Sequence, residues 1–139
     1  MRWGLALAAA GLLLAAPAWA APSKTCAQYG ETAFIDWTQG LYPDVGRHFA
    51  PDLADHLPAS VLHDMWNELQ AQVGKFQSLG RFVPRTLNGQ AAMVAPITFQ
   101  HMRMAAVFAC NAKDQIAGMQ VLDPARVPGL QALLPPASH

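Results

Sequence analysis

His48, Asp52 and His56 stand four residues apart, and on an unbroken helix two imidazoles and a carboxylate would share one face, a pattern that can present ligands to a divalent metal. Pro51 interrupts that helix, and a metal centre needs three or four converging ligands. The triplet therefore reads as a solvated face opposite Val45, Phe49 and Leu53, and no metal is expected. Nucleophilic chemistry has less to work with. The serines are Ser23, Ser60, Ser78 and Ser138, and none sits in a G-x-S-x-G elbow. H-E-x-x-H, C-x-x-C, a phosphate loop and a dinucleotide fingerprint are missing too, so no cofactor is expected. His101 falls in a turn between two expected strands, where it either reaches the mouth of a cavity or stands in water.

The larger set of candidates is apolar. Trp37, Trp66, Phe76, Phe82, Met93, Phe99, Met104 and Phe108 fall on the inward-facing positions of the elements set out below. They either line a pocket for a small apolar ligand or fill the same space as core. Acid–base chemistry there would need a carboxylate or imidazole tuned by desolvation. The inward strand positions carry no acid, and Asp36 lies beside the first helix's apolar stripe rather than on it. A cationic set, Arg81, Arg85 and Arg103, shares the outward positions with Val83, Val94, Ala105 and Val107. That face reads as a docking surface for a protein partner or a second copy of the chain, or as a solvated sheet whose arginine stems cover apolar atoms.

These residues need elements to hold them. Cys26, Ala33, Phe34, Trp37 and Leu41 mark the stripe of a helix from about Ser23 to Gln39, stopped by Gly40 and Pro43. Val45, Phe49, Leu53 and Leu57 give a shorter helical segment that Pro51 breaks in two. Leu62, Met65, Trp66, Leu69 and Val73 then recur at i, i+3, i+4, i+7 and i+11, placing five apolar side chains on one helix face. Pro58 suits the first helical position and Gly74 the left-handed position past the end.

After Gly74 the period changes to two. A four-stranded antiparallel meander is expected between Phe76 and Pro124, pinned by the type I′ hairpin signal Leu87-Asn88-Gly89-Gln90. Pairing Leu87 with Gln90 sets Pro84 opposite Met93, Val83 opposite Val94 and Phe82 opposite Ala95. One face then collects Phe76, Phe82, Met93, Ala95, Ile97 and Phe99, joined by Met104, Ala106, Phe108 and Cys110 of the third strand. Ile116 to Leu122 is the fourth. The fold class is thus α+β, with N-terminal helices packed on one face of a curled sheet.

The first 20 residues read as a signal peptide: Arg2, an apolar run from Leu5 to Leu14, and Ala18-Trp19-Ala20 before the cleavage point. The run is too short and too interrupted for a stable membrane anchor, and an exported chain, periplasmic or extracellular, is expected. Residues 21–124 make one domain, and residues 125–139 a proline-rich tail expected to be extended or partly disordered. Without Arg2 the cationic and acidic side chains nearly balance, which argues against nucleic acid as a partner. Only 13% of residues are charged, a hint that some apolar surface is covered. In an oxidising compartment Cys26 and Cys110 allow one intramolecular disulfide, which would stabilise the fold by about 4 to 5 kcal/mol in chain-entropy terms; free thiols or an intermolecular bridge are the alternatives.

The pattern L-P-x3-L-x3-W-x2-L-x4-G-x-F from Leu57 to Phe76, Pro96-Ile97-Thr98-Phe99, and I-A-G-x4-D-P from Ile116 to Pro124 resembles a bacterial domain of unknown function often found ahead of α/β-hydrolase domains. That domain looks like a member of the nuclear transport factor 2-like superfamily. The resemblance spans about Thr32 to Pro124 and rests on structural motifs. It implies a cone-like sheet curled around helices, enclosing a cavity that some members use for isomerase or dehydratase chemistry and others for binding. No hydrolase follows Pro124, which weakens any hydrolytic expectation. Three functions follow as expectations: a non-catalytic exported module binding a small apolar ligand or a protein partner, an isomerase- or dehydratase-like enzyme with a cavity His or carboxylate, or an accessory subunit of a separate hydrolase.

Overall fold

The computed structural model describes residues 22–135; the signal segment read from residues 1–20 lies outside the described residues. Helix α1 runs Lys24–Thr38. Ser23 caps it, its hydroxyl oxygen accepting from the Cys26 N–H at 2.9 Å and donating to Asp114 Oδ1 at 2.7 Å, which ties the helix start to the turn between the last two strands. Its buried stripe is Cys26, Gly30, Ala33, Phe34 and Trp37. Gly30 is required there, because a Cβ at that position would fall inside the Phe108 ring. Leu41, expected on the stripe, lies beyond the helix and is exposed, since Gly40 at φ +77° turns the chain away.

The next segment is cut as Pro51 demands. Helix α2 spans Tyr42–Val45, a 3₁₀ turn spans Gly46–His48, and α3 spans Pro51–His56. Between them Phe49 is extended and bridges Ile116, with the Ala50 N–H donating to the Ile116 carbonyl at 2.8 Å. Helix α4 runs Ala59–Val73, with Pro58 as its cap, one position earlier than expected, and Gly74 at φ +92° ending it. Leu62 and Trp66 are buried and Leu69 and Val73 half-buried, but Met65 is 41% exposed. At 100° per residue Met65 lies about 70° off the centre of the stripe, on the flank away from Trp66, so it faces out.

The sheet has five strands rather than four: β1 Phe76–Leu79, β2 Val83–Leu87, β3 Gln90–Phe99, β4 Arg103–Cys110 and β5 Ile116–Leu122. All pairings are antiparallel, and β1 and β2 lie end to end along β3, followed by β4 and β5. The hairpin is as the sequence implies, with Asn88 at φ 52° and Gly89 at φ 79°, and paired numbers keep one sum from Leu87↔Gln90 to Val83↔Val94. At Leu79↔Ile97 the sum has dropped by one, and at Phe76↔Phe99 by one more. The first slip sits at Gly80, whose N–H donates to the Pro96 carbonyl at 2.8 Å while Pro96, lacking an N–H, returns nothing, and the second falls between Phe76 and Ser78. The first slip carries Leu79 to the inner face, and Phe82, expected opposite Ala95, enters the core from the unpaired link.

The sheet remains open, with helices on its inner face. There Phe34, Trp37, Leu62 and Trp66 meet Phe82, Met93, Ala95, Ile97, Phe99, Met104, Ala106 and Phe108 in one core. A Cys26–Cys110 disulfide, with its Cα atoms 6.1 Å apart, staples α1 to β4 across 84 positions of sequence. Between Pro124 and Pro135 the chain is not the extended segment expected of the tail, whose last four residues lie outside the described residues. A 3₁₀ turn, Pro124–Arg126, and a one-turn helix α5, Leu130–Leu133, fold back onto the outer face of the sheet.

Candidate functional site

The expected pocket residues come together as a packed interior. The ring centroids of Trp37 and Trp66 lie 5.4 Å apart, Trp66 and Phe99 5.7 Å, Trp66 and Phe76 5.7 Å, and Phe82 and Phe108 5.0 Å. Met93 and Met104 belong to the same cluster. Trp37 satisfies its indole by donating Nε1–H to the Leu62 carbonyl at 2.9 Å, which locks α1 to α4. Among the described residues no polar or charged residue is buried. His101 is exposed in the turn after β3, its backbone N–H donating to the Val73 carbonyl and its ring beside Gly74.

The outer face is covered by the chain itself. Ala92, Val94, Ala105, Val107 and Ala109 are buried beneath Leu130 and Leu134. Two of the three arginines hold this cover in place: Arg85 Nε donates to the Leu133 carbonyl at 2.9 Å and Arg103 Nη2 to the Pro135 carbonyl at 2.8 Å. Arg81 is exposed.

The histidine–aspartate triplet does not converge. His48 stacks on Tyr29 with centroids 3.5 Å apart, beside an Arg47–Asp44 pair at 3.0 Å, in a surface depression of about 370 Å³ that Asp36 also lines. His56 instead donates Nδ1–H to the Asp52 carbonyl at 2.8 Å, closing a turn of α3. Among the described residues no group of three or more His, Cys, Asp and Glu is placed to hold a metal ion.

A more apolar groove of about 500 Å³ is bounded by α1, α4 and β5 and lined by Trp37, Asp64, Met65, Glu68, Leu69, Gln72 and Val121. On α4 the spacing builds two ridges: Asp64, Glu68 and Gln72 at i, i+4 and i+8, and Met65 and Leu69 at i and i+4 beside them. Trp37 and Val121 complete the apolar floor. Glu68 Oε2 accepts from Gln72 Nε2 at 2.9 Å, and Asp64 lies 3.3 Å from His63 Nδ1 with its side chain 82% exposed. Sequence periodicity missed this site because it assigned Met65 and Leu69 to the buried stripe. The available signal was that Met65 sits at the stripe's edge. Neither a family model, nor a curated protein, nor a solved structure matches this chain.

Proposed function

We propose that the protein is an exported, non-catalytic module that holds an apolar group in the groove between α4 and β5. One observation carries this reading: the interior is filled by rings and the outer sheet face by the tail, while Met65, Leu69 and Val121 leave apolar surface open over the buried Trp37 in a concavity of about 500 Å³. That size lies within the range of roughly 300 to 1,000 Å³ typical of small-molecule sites. The Cys26–Cys110 disulfide supports export, since such bonds persist in oxidising compartments. The order of helices before an antiparallel sheet fits the nuclear transport factor 2-like superfamily that the sequence resembles; on that reading the space such a fold would leave as a cavity is taken by side chains, and binding falls to the groove outside it. An isomerase- or dehydratase-like site would need a carboxylate or imidazole inside the apolar interior, and the described residues bury none.

Titration with a neutral apolar fluorophore such as N-phenyl-1-naphthylamine tests the reading. Emission should rise saturably, fall on addition of a medium-chain alcohol, and weaken several-fold in Met65→Gln, a substitution at an exposed position that leaves the core intact. A response unchanged in that variant, or none in the native protein, would overturn the groove as a binding site.

A further inference from the structure

The groove's two ridges differ in chemistry, and the difference restricts what can lie there. Its floor is apolar, while the wall beside it carries Asp64 and Glu68 one helical turn apart, and among the described residues no lysine or arginine lines the groove. Gln72, which donates to Glu68, is neutral, and the Asp64 side chain stands largely in solvent with the exposed imidazole of His63 3.3 Å away, which offsets its charge only when protonated. Two like charges about 6 Å apart along one wall, with low-dielectric side chains beneath them, concentrate negative potential over the floor.

Building on the proposed binding role, we infer that the groove selects amphiphilic cations, small molecules with an alkyl body and one ammonium or guanidinium head. The alkyl body lies along Met65 and Leu69 against Trp37 and Val121, and the head sits against the Asp64 and Glu68 carboxylates. A fatty acid or alkyl sulfate of the same length covers the same floor but brings its charge against two carboxylates. The carboxylates therefore supply sign selectivity and the floor supplies affinity, two separable contributions from adjacent rows of one helix. Because the carboxylates face water, their effect is modest and falls with salt.

Isothermal titration with three probes sharing a decyl chain, all below micellar concentration, separates the contributions: decyltrimethylammonium, decyl maltoside and decyl sulfate. The ammonium should bind about tenfold more tightly than the sulfate at low ionic strength, with the maltoside between them. The double variant Asp64→Asn/Glu68→Gln, which changes only exposed groups and keeps their shape, should bring all three within about twofold of each other. Met65→Gln should weaken all three together and keep their order. Equal affinities in the native protein, or a preference that survives the double variant, would overturn the cation assignment while leaving the groove a binding site. Failure of all three probes to bind, or indifference to Met65→Gln, would remove the groove itself.

Discussion

The two faces of one sheet are buried by different means. On the inner face large rings, Trp37, Trp66, Phe99 and Phe108, come from elements far apart in sequence and are tied by a disulfide spanning 84 positions. On the outer face the sheet offers mostly small residues, Ala92, Ala105 and Ala109 with Val94 and Val107, under a tail that follows the last strand directly. Small side chains let one turn of helix lie close to the strands, so a thin strap suffices where the inner side needs two long helices. The inner cover should therefore belong to the global folding unit, and the outer cover should open below the global free energy of unfolding.

The staple gives the largest expected effect. Replacing both cysteines, Cys26→Ala/Cys110→Ala, restores the unfolded chain's freedom across an 84-position separation and should lower the unfolding free energy in urea by about 4 kcal/mol. The loss should appear in every probe at once, including Trp66 fluorescence. A loss confined to the tail would reverse the ranking of the two faces.

Leu130 tests the other cover. It is fully buried against the outer face, so Leu130→Ala leaves a cavity nominally worth about 2 to 3 kcal/mol. The tail has an escape that a core residue lacks: once docking is weakened it can detach, and the measured loss is capped at the free energy of docking. Hydrogen exchange should rise first in β4 amides under the strap, and protease should cut between residues 125 and 135, while the Trp66 transition moves less. A Leu130→Ala transition that stays coincident in all probes would show the strap to be part of the same cooperative unit as the inner core.

How much of this was legible follows from which interactions are local. The Asn88-Gly89 corner and strict alternation fixed the β2–β3 register and the inner face of β4 in advance, because a one-residue slip there would turn every side chain over. The break in the first strand was hidden, since it depends on Gly80 meeting Pro96, a non-local contact. The tail was masked by its composition. Four prolines in and just before it suggested extended chain, yet Leu130, Leu133 and Leu134 stand at i, i+3 and i+4, one turn of an amphipathic helix. An outer sheet face too apolar for water and an apolar turn at the chain's end were both visible; pairing one with the other was the missing step. The groove escaped for a related reason: periodicity puts Met65 on the apolar stripe, and only the packing angle of α4 decides which edge of that stripe stays outside.

The smallest effects lie with the arginines, which make similar-looking contacts to the strap with different expected consequences. Arg85 places Nε on the Leu133 carbonyl and Nη1 on its neighbour Pro84 at 2.9 Å, so Arg85→Met removes two satisfied donors and leaves a strap carbonyl short of its partner. A loss of about 1 kcal/mol is expected. Arg103 gives one donor to Pro135, but its own Nε is buried and has no partner among the described residues. A buried donor left unpaired carries a desolvation penalty comparable to what a hydrogen bond gains, so Arg103→Met sheds the bond and the penalty together and should be nearly neutral. Urea denaturation of the two variants, followed by tail proteolysis, reads the difference directly. Equal losses would mean that both arginines act as generic cover for apolar atoms, whereas a loss confined to Arg85 would place the strap's polar anchor at Leu133, the last residue of α5.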